Sequence, residues 1–269
     1  VGSLSPTINW KTLAAQEFAL PPLEDQRRIA EHLRCSLEVV DAVREAVDSL
    51  QTLRRSCIDE LCLARNVNFV RLGDVCEMQN GRAFPGEDYS ESGDVRLLRP
   101  GNLASNGFIG WLPGNTTFLP RKYAHEAGDY LVGSGDIVIN LTAQSIEDGF
   151  MGRVCLVREN DRSLLNQRIG RLTIANDDVY PQFIYRVLQT QQFQRHVLSM
   201  CEGTKVKHLY WRHLERFEFG LPALDKQREI ADKLMAVDSA LELWSSRQVR
   251  QSELHTGILN AQLDLSYPC

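Results

Sequence analysis

The sequence predicts an α+β protein in which one globular mixed domain is flanked by two long helices that form an antiparallel coiled-coil pair. Three observations predict this class. An 18-residue segment occurs twice, apolar residues with helical spacing follow each copy, and short β-like runs broken by glycine, asparagine and proline lie between the copies. A chain of 269 residues with 43% hydrophobic content can bury a core of this size.

The repeat sets the predicted domain boundaries. Residues 17–34 and 218–235 align with a constant offset of 201 residues, and ten of the eighteen aligned positions are identical. Trp10 aligns with Trp211 in the same register. We therefore predict that the chain starts in the tail of one unit and then runs through one complete unit. The predicted segments are the stump of a preceding domain, a first long helix, a globular domain and a second long helix, at residues 1–17, 18–65, 66–217 and 218–265.

The two helices are predicted from apolar residues that recur at intervals of three and four. A helix of about 40 residues is roughly 60 Å long at 1.5 Å per residue, and it cannot bury an apolar seam alone. Two such helices in one chain favour a coiled-coil pair, with ordinary amphipathic helices on a compact core as the alternative. The predicted seam of the second helix consists of Ile230, Leu234, Val237, Leu241 and Trp244, with a more polar stretch before Ile258. The predicted seam of the first helix, which reaches Leu63, consists of Ile29, Leu33, Leu37, Val40, Val43, Val47, Leu50 and Leu53.

The globular domain is predicted to contain at least five strands and one helix. Apolar and β-branched residues bounded by turn formers indicate the strands. Phe183, Val187, Phe193 and Val197 indicate the apolar face of one helix over Pro181–Met200. The strand candidates are Phe69–Leu72, Val95–Arg99, Asp136–Leu141, Val154–Arg158 and Ile169–Ile174.

Composition restricts the class of protein further. No apolar run approaches the roughly 18–20 residues that span a bilayer, and the N-terminus lacks the pattern of a secretory signal. Seven irregularly spaced cysteines indicate reduced thiols in a cytoplasmic protein, and we interpret them as buried apolar residues in preference to a metal site. The net charge of −5 is not typical of a nucleic-acid-binding protein, but contacts with phosphates need only a local basic face.

The sequence lacks several motifs that are typical of enzymes acting on DNA. It has no phosphate-binding loop, no glycine-rich turn suited to S-adenosylmethionine, no Asn/Asp-Pro-Pro-aromatic segment for base methylation and no zinc motif. We therefore expect a protein that is not an enzyme. Five acidic residues near predicted strands could mimic a nuclease cluster but lack the closely spaced lysine of such a site; they are Asp129, Asp136, Glu147, Asp148 and Glu159.

The arrangement resembles the specificity subunits of Type I restriction–modification systems, which alternate a target-recognition domain with a long helix, twice over. The likeness extends over nearly the whole chain, although only one complete recognition domain is present, so the resemblance implies either a half-length subunit or the C-terminal portion of a full one. Single motifs are weak, but their order, spacing and duplication are specific. The segments that carry the resemblance are Arg71–Val75, Gly81–Phe84, Arg99–Leu103, Gly135–Ile139, Gly203–Leu209 and Leu221–Gln227.

The resemblance implies a sequence-specific DNA-binding subunit that directs other subunits to a target site. The implied partners are double-stranded DNA, methyltransferase subunits and a restriction and translocation subunit. A second copy of the chain is a further expected partner, since paired copies would restore two recognition domains and read a palindrome. No cofactor is expected in this chain, because S-adenosylmethionine, ATP and Mg²⁺ belong to the partner subunits.

A basic stretch is the first candidate for DNA contact. Residues 186–216 contain six Lys or Arg residues and only two acidic ones, although the whole chain is acidic. Cationic side chains after the glycine turn would neutralise phosphates and release counterions. A solvated surface strand is the alternative interpretation. The candidates are Lys205, Lys207, His208, Tyr210 and Arg212.

Amide and guanidinium side chains on turn-rich segments are the candidates for reading bases. Arginine matches guanine and asparagine or glutamine matches adenine in the major groove. The polar loop from Asn140 to Arg153 is the preferred recognition loop; Phe84 and Phe150 could wedge against bases, with core packing favoured. Each polar candidate could instead be a turn former or cap. The set is Asn80, Arg82, Asn102, Asn106, Asn140, Gln144, Arg153, Asn166, Gln167 and Arg168.

Two other classes of function stay open. The chain could be a helical dimerisation or interaction module with a vestigial recognition domain. It could also be a stand-alone restriction nuclease, which the missing acidic–lysine cluster disfavours. Replacement of Lys205 and Lys207 by alanine tests the first alternative, because unchanged DNA affinity would show that the basic loop does not contact DNA. Metal-dependent DNA cleavage by the pure chain would support the second alternative.

Overall fold

The computed structural model describes residues 9–15, 20–63, 67–145, 147, 149–174, 176–203 and 206–263. The α-helices in these ranges are α1 Trp10–Ala14, α2 Leu23–Cys62, α3 Leu72–Val75, α4 Lys122–Glu126, α5 Pro181–Val187, α6 Gln191–Met200, α7 Trp211–Leu214 and α8 Leu224–Leu263. The strands are β1 Asn68–Arg71, β2 Cys76–Asn80, β3 Val95–Leu98, β4 Thr117–Leu119, β5 Leu131–Val132, β6 Ile137–Asn140, β7 Thr142–Ala143, β8 Val154–Leu156, β9 Ser163–Leu165, β10 Ile169–Ile174, β11 Lys207–His208 and β12 Glu218–Leu221.

The described residues form two compact units. The helical unit contains the residues up to Gln51 together with those from Ser239 onward, and the mixed unit runs from Thr52 to Asp238. The predicted α+β class is confirmed. Both long helices have the predicted length, since α2 and α8 each contain 40 residues. None of the described helices is both long and apolar enough to cross a membrane.

The helical unit contains the paired parts of α2 and α8. Val40, Val43 and Val47 of α2 are buried, as is Leu241 of α8. Between the two helices, Ser36 Oγ lies 2.7 Å from Nδ1 of His255. Early residues of α2 therefore face late residues of α8, as in the predicted antiparallel pair.

Two residues of the predicted seam lie outside it. Leu37 and Leu53 are 45% and 49% exposed. The alternation of four-residue and three-residue steps continues through Ser36 and Arg54, so these polar residues take the inward positions and their apolar neighbours face solvent.

Two four-stranded sheets form the centre of the mixed unit. The first has the order β2-β10-β6-β8, and all its neighbouring strands are antiparallel. The second has the order β4-β3-β9-β5, in which β3 and β9 are parallel. Two short antiparallel pairs, β1 with β12 and β7 with β11, complete the pairing. The five predicted strands are confirmed as β1, β3, β6, β8 and β10.

The prediction of one helix over Pro181–Met200 is wrong, because two helices, α5 and α6, occupy this segment. Thr190 separates them. Its backbone is extended, with ψ of 153°, and its hydroxyl accepts a hydrogen bond from the backbone N–H of Phe193. Threonine is a favoured N-cap, so it starts a new helix where apolar periodicity alone suggests continuation.

The apolar core of the mixed unit lies where α5 and α6 pack on the first sheet. Phe183 and Phe193 are fully buried, and the ring of Phe193 meets that of Phe217 edge to face, with the centroids 5.0 Å apart. A second cluster contains Phe84, whose ring packs against Tyr123 at 5.2 Å. Phe84 therefore belongs to the core, as favoured from the sequence.

Cysteine reactivity tests this packing. Burial raises the pKa of the thiols of Cys62, Cys76 and Cys155 to about 12. At pH 8 these groups are therefore neutral thiols and poor nucleophiles, whereas Cys35 is exposed. We expect iodoacetamide at pH 8 to alkylate Cys35 in the folded protein and to spare the three buried cysteines until urea unfolds the chain, as measured by peptide mass spectrometry. Alkylation of Cys155 as fast as that of Cys35 in the folded state would contradict the structure.

Candidate DNA interface

Loops from several parts of the sequence emerge at one end of the first sheet. Asn80 ends β2, Asn140 ends β6, Val154 begins β8 and Ile169 begins β10, and the register of pairing places these four residues together. We call this the loop end of the sheet. Because neighbouring strands are antiparallel, the segments after β2 and β6 meet those before β8 and β10 here.

The second sheet reaches the same place through the turn before β10. The backbone N–H of Arg82 donates to the carbonyl of Leu165 at 3.0 Å, and that of Asn166 donates to Leu98 at 3.2 Å. Arg99, which directly follows Leu98, therefore lies beside this turn. Gly81 allows the close approach, because a Cβ atom at this position would lie 2.1 Å from the carbonyl oxygen of Asn166.

The preferred recognition loop and the basic stretch are neighbours. Strand β7 pairs with β11, so that Ala143 faces Lys207. The N–H of Leu209 donates to the carbonyl of Leu141, and the N–H of Leu141 donates to that of Arg168, both at 2.9 Å. Backbone hydrogen bonds thus join three segments that are distant in the sequence.

Most of the polar candidates are exposed at the loop end. Lys207 and His208 are half-buried, and Nζ of Lys207 donates to the carbonyl of Gly203 at 2.6 Å. The ring of His208 stacks near that of Tyr210, with centroids 6.1 Å apart. Lys205 lies outside the described residues. The exposed candidates are Asn80, Arg82, Gln144, Gln167, Arg168, Tyr210 and Arg212.

The charge of Arg212 is balanced within the chain. Its Nη2 lies 3.1 and 3.0 Å from the two carboxylate oxygens of Glu202, and its guanidinium covers the ring of Tyr210 at 4.4 Å. The hydrogen bond from Arg212 holds the pKa of Glu202 below its usual value. Arg212 therefore offers less net positive charge to DNA than the sequence suggested.

Three of the asparagine candidates are buried and must be removed from the set of base readers. Asn102 is fully buried and donates to the carbonyls of Gly110 and Asn115. Asn140 is also fully buried and donates to the carbonyls of Thr142 and Phe150. Asn166 is 5% exposed and accepts from the N–H of Arg168. These amides shape the loops, and their burial leaves little surface for contact with a base.

Arg153 and Asn106 also support the fold. Arg153 donates to the carbonyls of Gly149 and Leu103, and its guanidinium lies 4.0 Å from the centroid of the Phe150 ring. Asn106 accepts from the N–H of Phe108 at 3.0 Å and so closes a turn. Arg153 therefore stabilises the preferred recognition loop, and the Phe150 side chain that it contacts is half-buried.

A polar cleft, which the sequence did not predict, lies at the loop end. Nη1 of Arg99 donates to Oγ1 of Thr117 at 3.0 Å, and its guanidinium lies 5.8 Å from the ring centroid of Tyr89. The sequence feature that could have indicated this cleft is Arg99 itself, an arginine that follows a strand and directly precedes Pro100-Gly101. The cleft has a volume of about 380 Å³ and is lined by Tyr89, Arg99, Pro100, Gly101, Asn115, Asn166, Gln167 and Arg168.

The acidic residues considered for a nuclease are not gathered into a metal site. Among the residues that the structure describes, no group of three or more His, Cys, Asp or Glu side chains could hold a metal ion. Asp136 instead accepts from the N–H of Gly133 and lies 3.7 Å from Arg171. Asp148 lies outside the described residues.

The fold and the loop end together define a class of protein: a mixed α+β domain in a chain with two long helices, with polar loops gathered at one end of a sheet. Residues 64–249 match the Type I restriction modification DNA specificity domain, and the chain belongs to this family.

Relatives of known identity agree with the family. The chain is 23% identical over 280 residues to the Type I restriction enzyme MjaVIII specificity subunit of Methanocaldococcus jannaschii, which covers 97% of this chain and 64% of the relative. A chain from a study of complex assembly and conformational transition in the type I R-M system superposes with a TM-score of 0.61 at 19% identity, over 97% of this chain and 65% of that one.

Two solved subunits resemble the fold as well. The HsdS subunit from Thermoanaerobacter tengcongensis gives a TM-score of 0.53 at 18% identity, over 99% of this chain and 65% of that chain. The S subunit of the Type-I restriction-modification system from M. genitalium gives 0.58 at 13% identity, over 90% and 61%. The chain thus spans less than two thirds of the length of each of these relatives.

Proposed function

We propose that this chain reads a DNA sequence for a Type I restriction–modification complex and directs its methyltransferase and restriction subunits to that site. The observation that carries the proposal is the convergence of exposed amide and guanidinium groups at the loop end. Such groups match the hydrogen-bonding edges of adenine and guanine in the major groove. Membership of the specificity-domain family supports the same role.

In this proposal affinity and specificity come from different side chains. Cationic groups such as Lys207 add affinity by contacting phosphates. This contribution carries no sequence information, and it falls as the salt concentration rises. Amide side chains such as Gln144 and Gln167 supply discrimination between bases. The acidic net charge of the chain is compatible with DNA binding, because the potential that DNA experiences depends mainly on the charges at the surface it contacts.

The chemistry in this proposal belongs to partner subunits. The chain binds double-stranded DNA, methyltransferase subunits, a restriction and translocation subunit and a second copy of itself. It uses no cofactor; S-adenosylmethionine, ATP and Mg²⁺ act in the partners. We place the protein in the cytoplasm, where DNA is accessible and thiols stay reduced. Methyl transfer, ATP hydrolysis or metal-dependent DNA cleavage by the pure chain would contradict a non-catalytic role.

A helical interaction module is the second candidate function. Large apolar side chains on α8 are exposed, since Leu243, Val249 and Leu254 are 69%, 57% and 58% accessible. Exposed apolar side chains mark a surface that binds another protein where they form a contiguous patch. This module would retain its binding partner and select no DNA sequence.

Selection from a randomised pool of DNA duplexes at low salt tests the proposal. We expect the full chain to enrich one motif. Gln144→Ala should relax the preference at one position of that motif by about 1–3 kcal/mol, because it removes one bidentate contact. Gln51→Ala, an exposed glutamine on α2, is the matched control and should leave the motif intact. Failure of the wild-type chain to enrich any motif would favour the helical module.

A further inference from the structure

We propose that the cleft between Arg99 and Arg168 binds one phosphate group of the DNA backbone and so sets the position of the recognition loops on the duplex. This inference rests on the proposed function and adds a binding site for a phosphodiester. It assigns a role to Arg99, which sequence reasoning had not selected as a DNA contact.

Arg99 is held in place before any ligand arrives. Its backbone N–H donates to Oδ1 of Asn102 at 3.0 Å, and its carbonyl accepts from the N–H of Asn102 at 2.9 Å. Its side chain is held by Thr117 and lies near the ring of Tyr89. A guanidinium that is already ordered loses less conformational entropy when it binds an anion.

Within the described part of the chain, no acidic group compensates the charge in the cleft. Its lining contains two arginines and no acidic residue. Neither Arg99 nor Arg168 forms an ion pair with any described residue, whereas exposed Arg212 is paired with Glu202. The cleft therefore attracts an anion, and the planar forks of guanidinium groups suit the oxygens of a phosphate.

The backbone around the cleft explains why a phosphate contact here would orient the loops. The backbone carbonyl of Arg168 accepts a hydrogen bond from the N–H of Leu141, the second residue of the preferred recognition loop. Asn115 donates to the carbonyl of Gly101 at 2.7 Å, so the opposite wall is held as well. A phosphate contact fixes register without reading bases. A concave, rigid site is suited to that task, and side chains that read base edges must instead protrude into a groove.

Salt dependence is the first test. On a 30-base-pair duplex, Arg99→Ala and Arg168→Ala should each weaken binding, and the double variant should lower the slope of log K against log salt by about 0.9, the value for one lost phosphate. The motif selected from a randomised pool should not change. Arg162→Ala, an exposed arginine before the opposite end of β9, is the matched control and should alter neither quantity.

Neutral phosphates give the second test. In a set of duplexes, each backbone position in turn carries one methylphosphonate, which has no charge. We expect one position at which this change weakens DNA binding by the wild-type chain but does not further weaken binding by the Arg99→Ala/Arg168→Ala variant. Arg99→Lys, which keeps the charge, should retain part of the affinity. Circular dichroism and thermal melting should match wild type, since both side chains are exposed.

The outcomes separate this inference from the proposed function. Loss of preference at one base position with an unchanged salt slope would make Arg99 or Arg168 a base reader and overturn the phosphate site. Unchanged affinity and slope in the double variant would also overturn it while the proposed function stands. A wild-type chain that binds duplex DNA without selecting a motif would refute the proposed function, and the salt test would still decide on the cleft. Absence of any DNA binding at low salt would refute both.

Discussion

Replacing Asp238 with alanine is expected to lower the free energy of unfolding of the mixed unit by about 3–5 kcal/mol. The carboxylate is 5% exposed and lies between two arginines, with Oδ1 2.5 Å from Nε of Arg54 and Oδ2 2.6 Å from Nη1 of Arg186. Arg186 is fully buried. Alanine would leave this charge in the interior without its counter-ion, which is the reason for the large effect.

The surroundings of Arg186 offer little substitute for the carboxylate. Among the described residues, its Nε and Nη2 atoms have no hydrogen-bond partner, and its Nη1 lies a long 3.5 Å from Oε1 of Gln189. The contact to Oδ2 of Asp238 is close but not aligned as a hydrogen bond, so the attraction is chiefly electrostatic. No other carboxylate forms an ion pair with Arg186 in the described part of the chain.

Urea unfolding followed by circular dichroism measures the effect of Asp238→Ala. Asp41→Ala is the control, because Asp41 pairs with Arg44 at 2.8 Å on the exposed side of α2, and exposed pairs contribute about 0–1 kcal/mol. The double change Arg186→Met with Asp238→Leu should recover part of the stability, since it removes the fully buried charge and its partner and leaves only Arg54, 11% exposed, without a carboxylate. Equal losses for Asp238→Ala and Asp41→Ala would show that the buried cluster is not a stabilising pair.

Gly81→Ala is expected to destabilise the mixed unit by about 1–3 kcal/mol and to weaken sequence-specific DNA binding. The new Cβ atom would lie 2.1 Å from the carbonyl oxygen of Asn166 and 2.8 Å from that of Leu165. These are backbone atoms, which cannot rotate away as a side chain can. The turn that carries Gln167 and Arg168 must therefore shift, and the loop end shifts with it.

Gly86→Ala provides the control for this substitution. A Cβ atom at Gly86 meets no atom within 4 Å, and the position lies five residues along the same segment. We expect wild-type stability and DNA binding for this variant, as measured by thermal melting and by titration of the selected duplex. A Gly81→Ala protein with the melting temperature and the motif of wild type would contradict the close approach of the two turns.

Sequence periodicity predicted the long helices well, because the spacing of apolar residues reflects local helix geometry. It placed Leu37 and Leu53 on the seam for the same reason, since each follows a correct position by three or four residues. Hydrophobicity could not show that Ser36 and Arg54 take the inward positions. Those depend on partners across the structure, His255 for Ser36 and Asp238 for Arg54.

The candidate interface was predicted in part. Asparagine and arginine on turns are recognisable in the sequence, but their exposure is not. Asn102 and Asn140 cannot be told from Gln144 by residue type and sequence context, because all three are amides on turn-rich segments. In the structure, however, the amides of Asn102 and Asn140 donate hydrogen bonds to backbone carbonyls inside the domain. The role of Arg99 is equally hidden, because the turn of Arg168 that completes its cleft lies far along the chain.

The repeat, the two 40-residue helices and five strands of the recognition domain were determined by the sequence itself, since each depends on residue spacing within a short segment. The loop end was decided only by the tertiary structure. It exists because antiparallel register aligns Asn80, Asn140 and Ile169, and because Leu141 bonds to both Arg168 and Leu209. Such long-range hydrogen bonds depend on which strands pair, and a local pattern carries no information about that choice.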